Sequence, residues 1–201
     1  MPFDTALIAG KLRRWEKYLN NYRLPAWEDI PDFGLYMKQL VIQLKEYLDY
    51  LPPELKDEAC ITSATINNYV RTKVMPEPRN RRYYRLHLAY LILICSLKQG
   101  LGISLIHEML PNSLTEEEMR VIYTNYAERH QIVAQYFVEQ VRMAAAPILA
   151  HETIGEYAVT GTEDLILSAA IAGGFARLLA EKLLLLDGRT LKDGGSIEIR
   201  P

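Results

Sequence analysis

The chain has 201 residues, of which 49% are apolar and 24% are charged, and this ordinary globular composition excludes a collagen-like, mucin-like or wholly disordered protein. Two cysteines are too few for a disulfide framework, and the sequence holds neither a signal-peptide pattern nor an uncharged apolar run of about 18 residues, so we expect a cytoplasmic protein with no membrane partner. The net charge is only −2, but residues 71–85 hold six bases and one acid, which suggests a face for a polyanion on an otherwise acidic chain.

The first half of the chain predicts helices separated by connectors that contain proline or glycine. Apolar periodicity predicts helices over residues 3–20, 34–51, 62–72, 86–99 and 104–110. Thr62 or Ser63 caps the third helix and Ser104 caps the fifth, because a hydroxyl accepts a hydrogen bond from a free amide of the first turn. After the third helix two prolines force extended backbone, and residues 79–84 predict a tight two-stranded turn around Asn80.

The second half predicts two long helices. Thr115 and Glu118 have the spacing of a capping box at the start of the first helix. From there, residues at alternating steps of four and three form a seam typical of a helix that packs along a partner helix. The seam consists of Met119, Tyr123, Tyr126, His130, Val133, Phe137, Gln140 and Ala144. Thr162 caps the second helix, predicted over 163–186, and the chain divides into a domain at 1–112 and a helical dimerisation or sensing region at 113–201.

Four sets of short motifs follow one another between residues 61 and 110. They are Thr65-Ile66-Asn67-Asn68-Tyr69, Val74-Met75-x-x-Pro78, Arg82-x-Tyr84, and Leu88-x-x-Leu91-x-x-Ile94 with Gly102-Ile103-Ser104-Leu105. In this order they resemble parts of the MerR family of bacterial transcription regulators: the DNA-reading helix, the hydrophobic pair and proline after it, the wing, and the helix and turn after the wing. That family usually has glycine where this chain has Lys73. Two further segments, 27–31 and 35–37, resemble an uncharacterised bacterial family that carries such a module.

The resemblance implies a mainly α fold with an N-terminal MerR-like winged helix-turn-helix domain. This domain would have a helical extension before it, a small β wing, and a long-helix region after it. The implied function is that of a DNA-binding transcription regulator, with one helix in the major groove and the arginine-rich wing on the backbone or in the minor groove. We expect a homodimer, because the seam would supply the two-fold symmetry that paired half-sites of double-stranded DNA require.

The residue types of this part suit DNA independently of the resemblance. A helix fits the major groove, where asparagine matches an adenine edge and arginine a guanine edge, and further cations contact phosphates. The candidate DNA-binding residues are Thr65, Asn67, Asn68, Arg71, Lys73, Arg79, Arg81, Arg82, Tyr83 and Arg85. One of the two tyrosines is expected to pack beneath the wing, and the resemblance favours Tyr84 in that role.

No motif predicts catalysis, a metal or a cofactor. The four histidines lie far apart, without the His-Glu-x-x-His spacing of a zinc site. The stretch 102–106 lacks the final glycine of a nucleophile elbow. We therefore expect a protein that is not an enzyme and that holds neither cofactor nor metal.

Two other functions stay open. The basic segment would be an ordinary solvated loop if the helical module bound another protein instead of DNA. Alternatively, Tyr123, Tyr126 and Tyr136 would line a cleft between the long helices for an unidentified small-molecule effector.

Overall fold

Helices make up most of the regular structure in the part of the chain that the computed structural model describes, residues 5–51, 61–144, 167, 170–179 and 190. They are α1 (Thr5–Asn21), a short 3-10 helix (Trp27–Asp29), α2 (Met37–Tyr47), α3 (Ser63–Arg71), α4 (Arg85–Leu97), α5 (Ile103–Met109) and α6 (Glu116–Ala144). Residues 170–179 are also helical. The prediction of a mainly α protein is confirmed. Among the described helices, none has the length and apolar character needed to cross a membrane.

The predicted β wing is wrong: in the described ranges, backbone pairing outside helices amounts to two isolated bridges. One joins Arg79 to Arg82, with N–O distances of 3.1 and 3.0 Å, and the other joins Tyr83 to Leu35, at 2.9 and 2.8 Å. The ladder goes no further because the next residue, Tyr84, already caps α4. The chain thus makes a tight turn without a sheet, and a winged helix-turn-helix fold is not supported.

Residues 23–131 form a compact unit with α4 at its centre. Every residue from 86 to 97 is buried, as the apolar sequence of this helix predicts. Helix α2 packs against both α3 and α4, and α5 packs against α4. Burying one leucine side chain contributes roughly 1.5–3 kcal/mol, so this run of buried residues makes α4 the main source of stability in the unit.

Residues 1–22 and 132–201 form the other compact unit. Its described core contains residues 7–9 and 12 of α1, with Leu179 packed against them. Trp15 meets Phe137 edge-on with ring centroids 5.5 Å apart, and Phe137 stacks on Phe175 at 5.8 Å. The predicted cap and bounds of the last helix lie outside the described residues, and the division after residue 112 stays a prediction.

Two of the predicted helix caps are confirmed and one is wrong. Thr62 accepts a hydrogen bond from the first turn of α3. At α6, Thr115 Oγ1 accepts from the Glu118 amide at 3.3 Å, while the Glu118 carboxylate accepts from the Thr115 amide at 2.8 Å. Helix α5 begins after Gly102, which has the extended conformation of an N-cap, so Ser104 lies inside that helix rather than at its cap.

The first part of the α6 seam is buried within a single chain. Met119, Tyr123, Tyr126 and His130 are each at most 4% exposed. The Tyr123 hydroxyl donates to the Pro25 carbonyl at 2.8 Å, and the His130 ring lies 5.2 Å from that of Tyr50. These side chains fill the core of the 23–131 unit, so they offer no free seam to a second copy, and the homodimer stays a prediction without that support.

Candidate nucleic-acid interface

Helix α3 has one buried face and one exposed polar face. Ile66 and Tyr69 are 0% and 2% exposed, whereas Asn67, Asn68 and Arg71 are exposed. This division follows from the helical period, since residues three or four positions apart share a face. Arg71 Nη2 donates to Asn68 Oδ1 at 2.8 Å, so an amide and a guanidinium are held together on the surface. The face carries three of the predicted base-reading residues.

Lys73, two residues after the end of α3, has a conformation that normally belongs to glycine. Its φ is 59°, within the left-handed region that L-residues adopt at a cost. Its amide donates to the Val70 carbonyl at 3.0 Å, and the Val74 amide donates to the Tyr69 carbonyl at 2.9 Å. These two bonds form a Schellman motif, in which a lysine occupies the glycine position and projects its cation beside the end of α3.

The turn over residues 79–82 is a two-residue hairpin turn. Asn80 and Arg81 have φ values of 50° and 60°, and positive values at both central positions are the mark of a type I′ turn. Asparagine tolerates this conformation well, whereas arginine does so at a cost. The side chains of Arg79 and Arg81 are exposed. We call residues 79–82 the arginine turn.

Arg82 is exposed but held in place. Its Nη2 donates to the Tyr36 hydroxyl at 2.8 Å and its Nη1 to the Gly34 carbonyl at 3.4 Å. Its Cζ also lies 4.4 Å from the centroid of the Tyr36 ring. Neither Gly34 nor Tyr36 was among the predicted site residues, since no charge or motif of the arginine turn indicates that this segment lies against it.

The other predicted side chains of the basic segment face the protein. Tyr83 is only 4% exposed, its ring meets His87 at 5.6 Å, and burial raises the pKa of its hydroxyl. Tyr84 is half-buried, so the expectation that Tyr84 is the inner tyrosine is wrong. Arg85 is also half-buried: its Nε donates to the Ile30 carbonyl at 2.8 Å. Thr65, on α3, forms hydrogen bonds with the capping residue Thr62 and is only partly exposed.

His87 fixes the connection between α3 and α4. The Tyr84 amide donates to its Nδ1 at 3.0 Å, so its Nε2 carries the proton that the Glu77 carbonyl accepts, also at 3.0 Å. Burial lowers the pKa of His87, and the positive charge of Arg79 acts in the same direction. The neutral imidazole therefore ties the segment just before the arginine turn, at Glu77, to the first turn of α4.

Five exposed cations remain after these inward-facing residues are set aside. They are Arg71, Lys73, Arg79, Arg81 and Arg82. Within the described ranges none of the five forms an ion pair with a carboxylate, whereas Arg85 pairs with Asp32 and Arg120 with Glu28. Their charge is therefore not neutralised locally by the described residues.

The five cations form two groups along the chain. Arg71 and Lys73 lie at the end of α3, and Arg79, Arg81 and Arg82 lie in the arginine turn. Tyr83 and Tyr84 connect the arginine turn to the first residue of α4, whereas Tyr69 of α3 accepts a hydrogen bond at 3.2 Å from Nζ of Lys98, the residue after the end of α4.

A family model described as "Domain of unknown function (DUF1836)" matches residues 25–138, more than half of the chain. The chain belongs to this family. No MerR or winged-helix family is matched, so the membership that the short motifs suggested is wrong. No curated protein shows significant similarity to the chain, and no solved structure does either. The DUF1836 match covers α3, the arginine turn and Tyr36 together, and it brings no known activity to them.

Proposed function

We propose that this DUF1836 protein binds double-stranded DNA, with the exposed face of α3 in the major groove and the arginine turn on the phosphate backbone. The observation that carries the proposal is the set of five exposed cations that form no ion pair with any described residue, on a chain whose net charge is −2. Asn67, Asn68 and Arg71 lie on one helix face and have the donor and acceptor groups that read base edges. A role in transcription regulation is the corresponding biological proposal.

The backbone conformation of two of these cations supports the proposal. In the described ranges, the non-glycine residues with positive φ are Lys73, Asn80 and Arg81, all within or beside the two groups of cations. Glycine would relieve the cost at Lys73 and Arg81. A charged residue where glycine would be more stable supports a use for the charge, because strained residues concentrate at functional sites.

The presence of two groups of cations favours a duplex over a small anion. The major groove is about 12 Å wide and has a phosphate backbone on each side, so a duplex presents anions at several points.

The test is a fluorescence-anisotropy titration of a labelled duplex at several salt concentrations. Each phosphate contact contributes about −0.9 to the slope of log K against log salt. We expect Arg79→Ala and Arg81→Ala each to weaken binding and to make the slope shallower by roughly 0.9, whereas Arg71→Ala, which removes a base contact, weakens binding. The control is Lys17→Ala, which removes one exposed cation from α1 and is expected to leave the slope unchanged. Equal slopes for the Arg79 and Arg81 variants and the parent protein would contradict the proposal.

A further inference from the structure

Gly34 and Tyr36 form a seat for the Arg82 side chain. A Cβ atom at Gly34 would lie 2.7 Å from Arg82 Cδ and 2.9 Å from Arg82 Cβ, distances too short for a non-bonded contact. The absence of a side chain at Gly34 therefore lets the arginine stem cross this position. The Leu35–Tyr83 bridge, with N–O distances of 2.8 and 2.9 Å, holds the two backbone segments side by side.

The seat fixes the guanidinium without neutralising it. Tyr36 contributes a neutral hydroxyl acceptor at 2.8 Å and an aromatic face at 4.4 Å, and Gly34 contributes a carbonyl. Asp32, a carboxylate just before Gly34 in the chain, pairs with Arg85 at 3.9 Å. Arginine has five N–H donors in a planar fork, so donors of Arg82 remain for a ligand. The Tyr36 side chain itself is 53% exposed, so the assembly is open to solvent.

We infer that Arg82 is a preorganised phosphate-binding group and that Tyr36 is its positioning residue. This inference rests on the proposed binding of duplex DNA and identifies one point of contact, a backbone phosphate at the guanidinium of Arg82. A free arginine side chain must lose rotamer freedom when it binds, and this entropy loss lowers its affinity for a phosphate. The Tyr36 hydroxyl and ring impose that order before the ligand arrives.

Three variants separate the charge from its positioning. Arg82→Gln removes the cation, so the salt slope becomes shallower by about 0.9. Tyr36→Phe keeps the aromatic ring and removes only the hydroxyl. Because Arg82 must then be ordered on binding, affinity falls about two- to ten-fold at every salt concentration, while the slope stays that of the parent. Arg82→Lys keeps the charge and loses the planar fork, so it also keeps the slope and loses affinity.

The titration uses the full chain and one labelled duplex, with Lys17→Gln as the charge control and thermal unfolding of every variant recorded alongside. If Tyr36→Phe binds the duplex as tightly as the parent protein, the positioning role of Tyr36 is overturned. If Arg82→Gln has the same salt slope as the parent protein, the phosphate contact of Arg82 is overturned. When the parent protein itself binds the duplex, either of these results leaves the proposed function intact. A parent that does not bind the duplex overturns the proposed function and this inference together.

Discussion

Substituting Lys73 separates the cost of its backbone conformation from the use of its charge. An L-residue in the left-handed region costs about 1–2 kcal/mol, and the φ of 59° places Lys73 there. Glycine removes this cost, but it also gives the unfolded chain more conformational freedom, and this entropy offsets about 0.4–1 kcal/mol of the gain in stability. Lys73→Gly should therefore stabilise the protein by roughly 0.5–1 kcal/mol.

Lys73→Ala is the matched control, because it removes the same charge and keeps the strained conformation. For a chain of this length 1 kcal/mol corresponds to about 2–4 °C in the unfolding midpoint. Thermal unfolding followed by circular dichroism should thus place Lys73→Gly about 1–4 °C above Lys73→Ala. In duplex titrations the two variants should have the same slope of log K against log salt, and this slope should be shallower than that of the parent protein by about 0.9. A glycine variant no more stable than the alanine variant would refute the reasoning from the Schellman motif.

Two further predictions concern residues that hold the 23–131 unit together. Arg85→Ala leaves the carbonyl of Ile30, a residue that is 0% exposed, without the donor that lies 2.8 Å from it. Urea unfolding should therefore show that the free energy of unfolding falls by about 1–3 kcal/mol. The salt slope of duplex binding should stay unchanged, which would separate this structural role from phosphate binding. Burial of His130 lowers its pKa to about 4 from the usual 6.5 of a histidine, so the unfolded chain binds the proton more readily. Its contribution to stability is present above pH 6.5 and is lost as the pH falls towards 4. The parent should lose about 2 kcal/mol more than His130→Phe between pH 7 and pH 5, and parallel pH profiles of the two proteins would contradict this.

The helical part of the fold could be predicted from the sequence because its signals are local. The apolar run of α4, the Thr62 cap and the Thr115–Glu118 capping box each depend on residues within a few positions of one another, and all three are confirmed. The start of α2 was placed too early. Leu35 pairs with Tyr83, a partner 48 positions away along the chain, and no local pattern indicates that contact.

The candidate site was only partly predictable for the same reason. Charge and helical spacing identified the exposed face of α3 and the exposed arginines, but they treated Arg82 and Arg85 alike. The structure separates these two residues, since Arg85 donates inward to Ile30 whereas Arg82 lies on Tyr36 at the surface. The expectation of a wing came from an Arg-x-Tyr motif. That motif is compatible with any tight turn before a helix, and here the ladder ends because Tyr84 is already the N-cap of α4.

The most direct test of DNA binding maps the contact residue by residue. Backbone amide chemical shifts of the isotope-labelled chain should be recorded while an unlabelled duplex is added. The proposal predicts that the largest changes fall on residues 67–73 and 79–82, with little change in α5. Changes confined to other elements, or no change at all at duplex concentrations well above that of the protein, would contradict it.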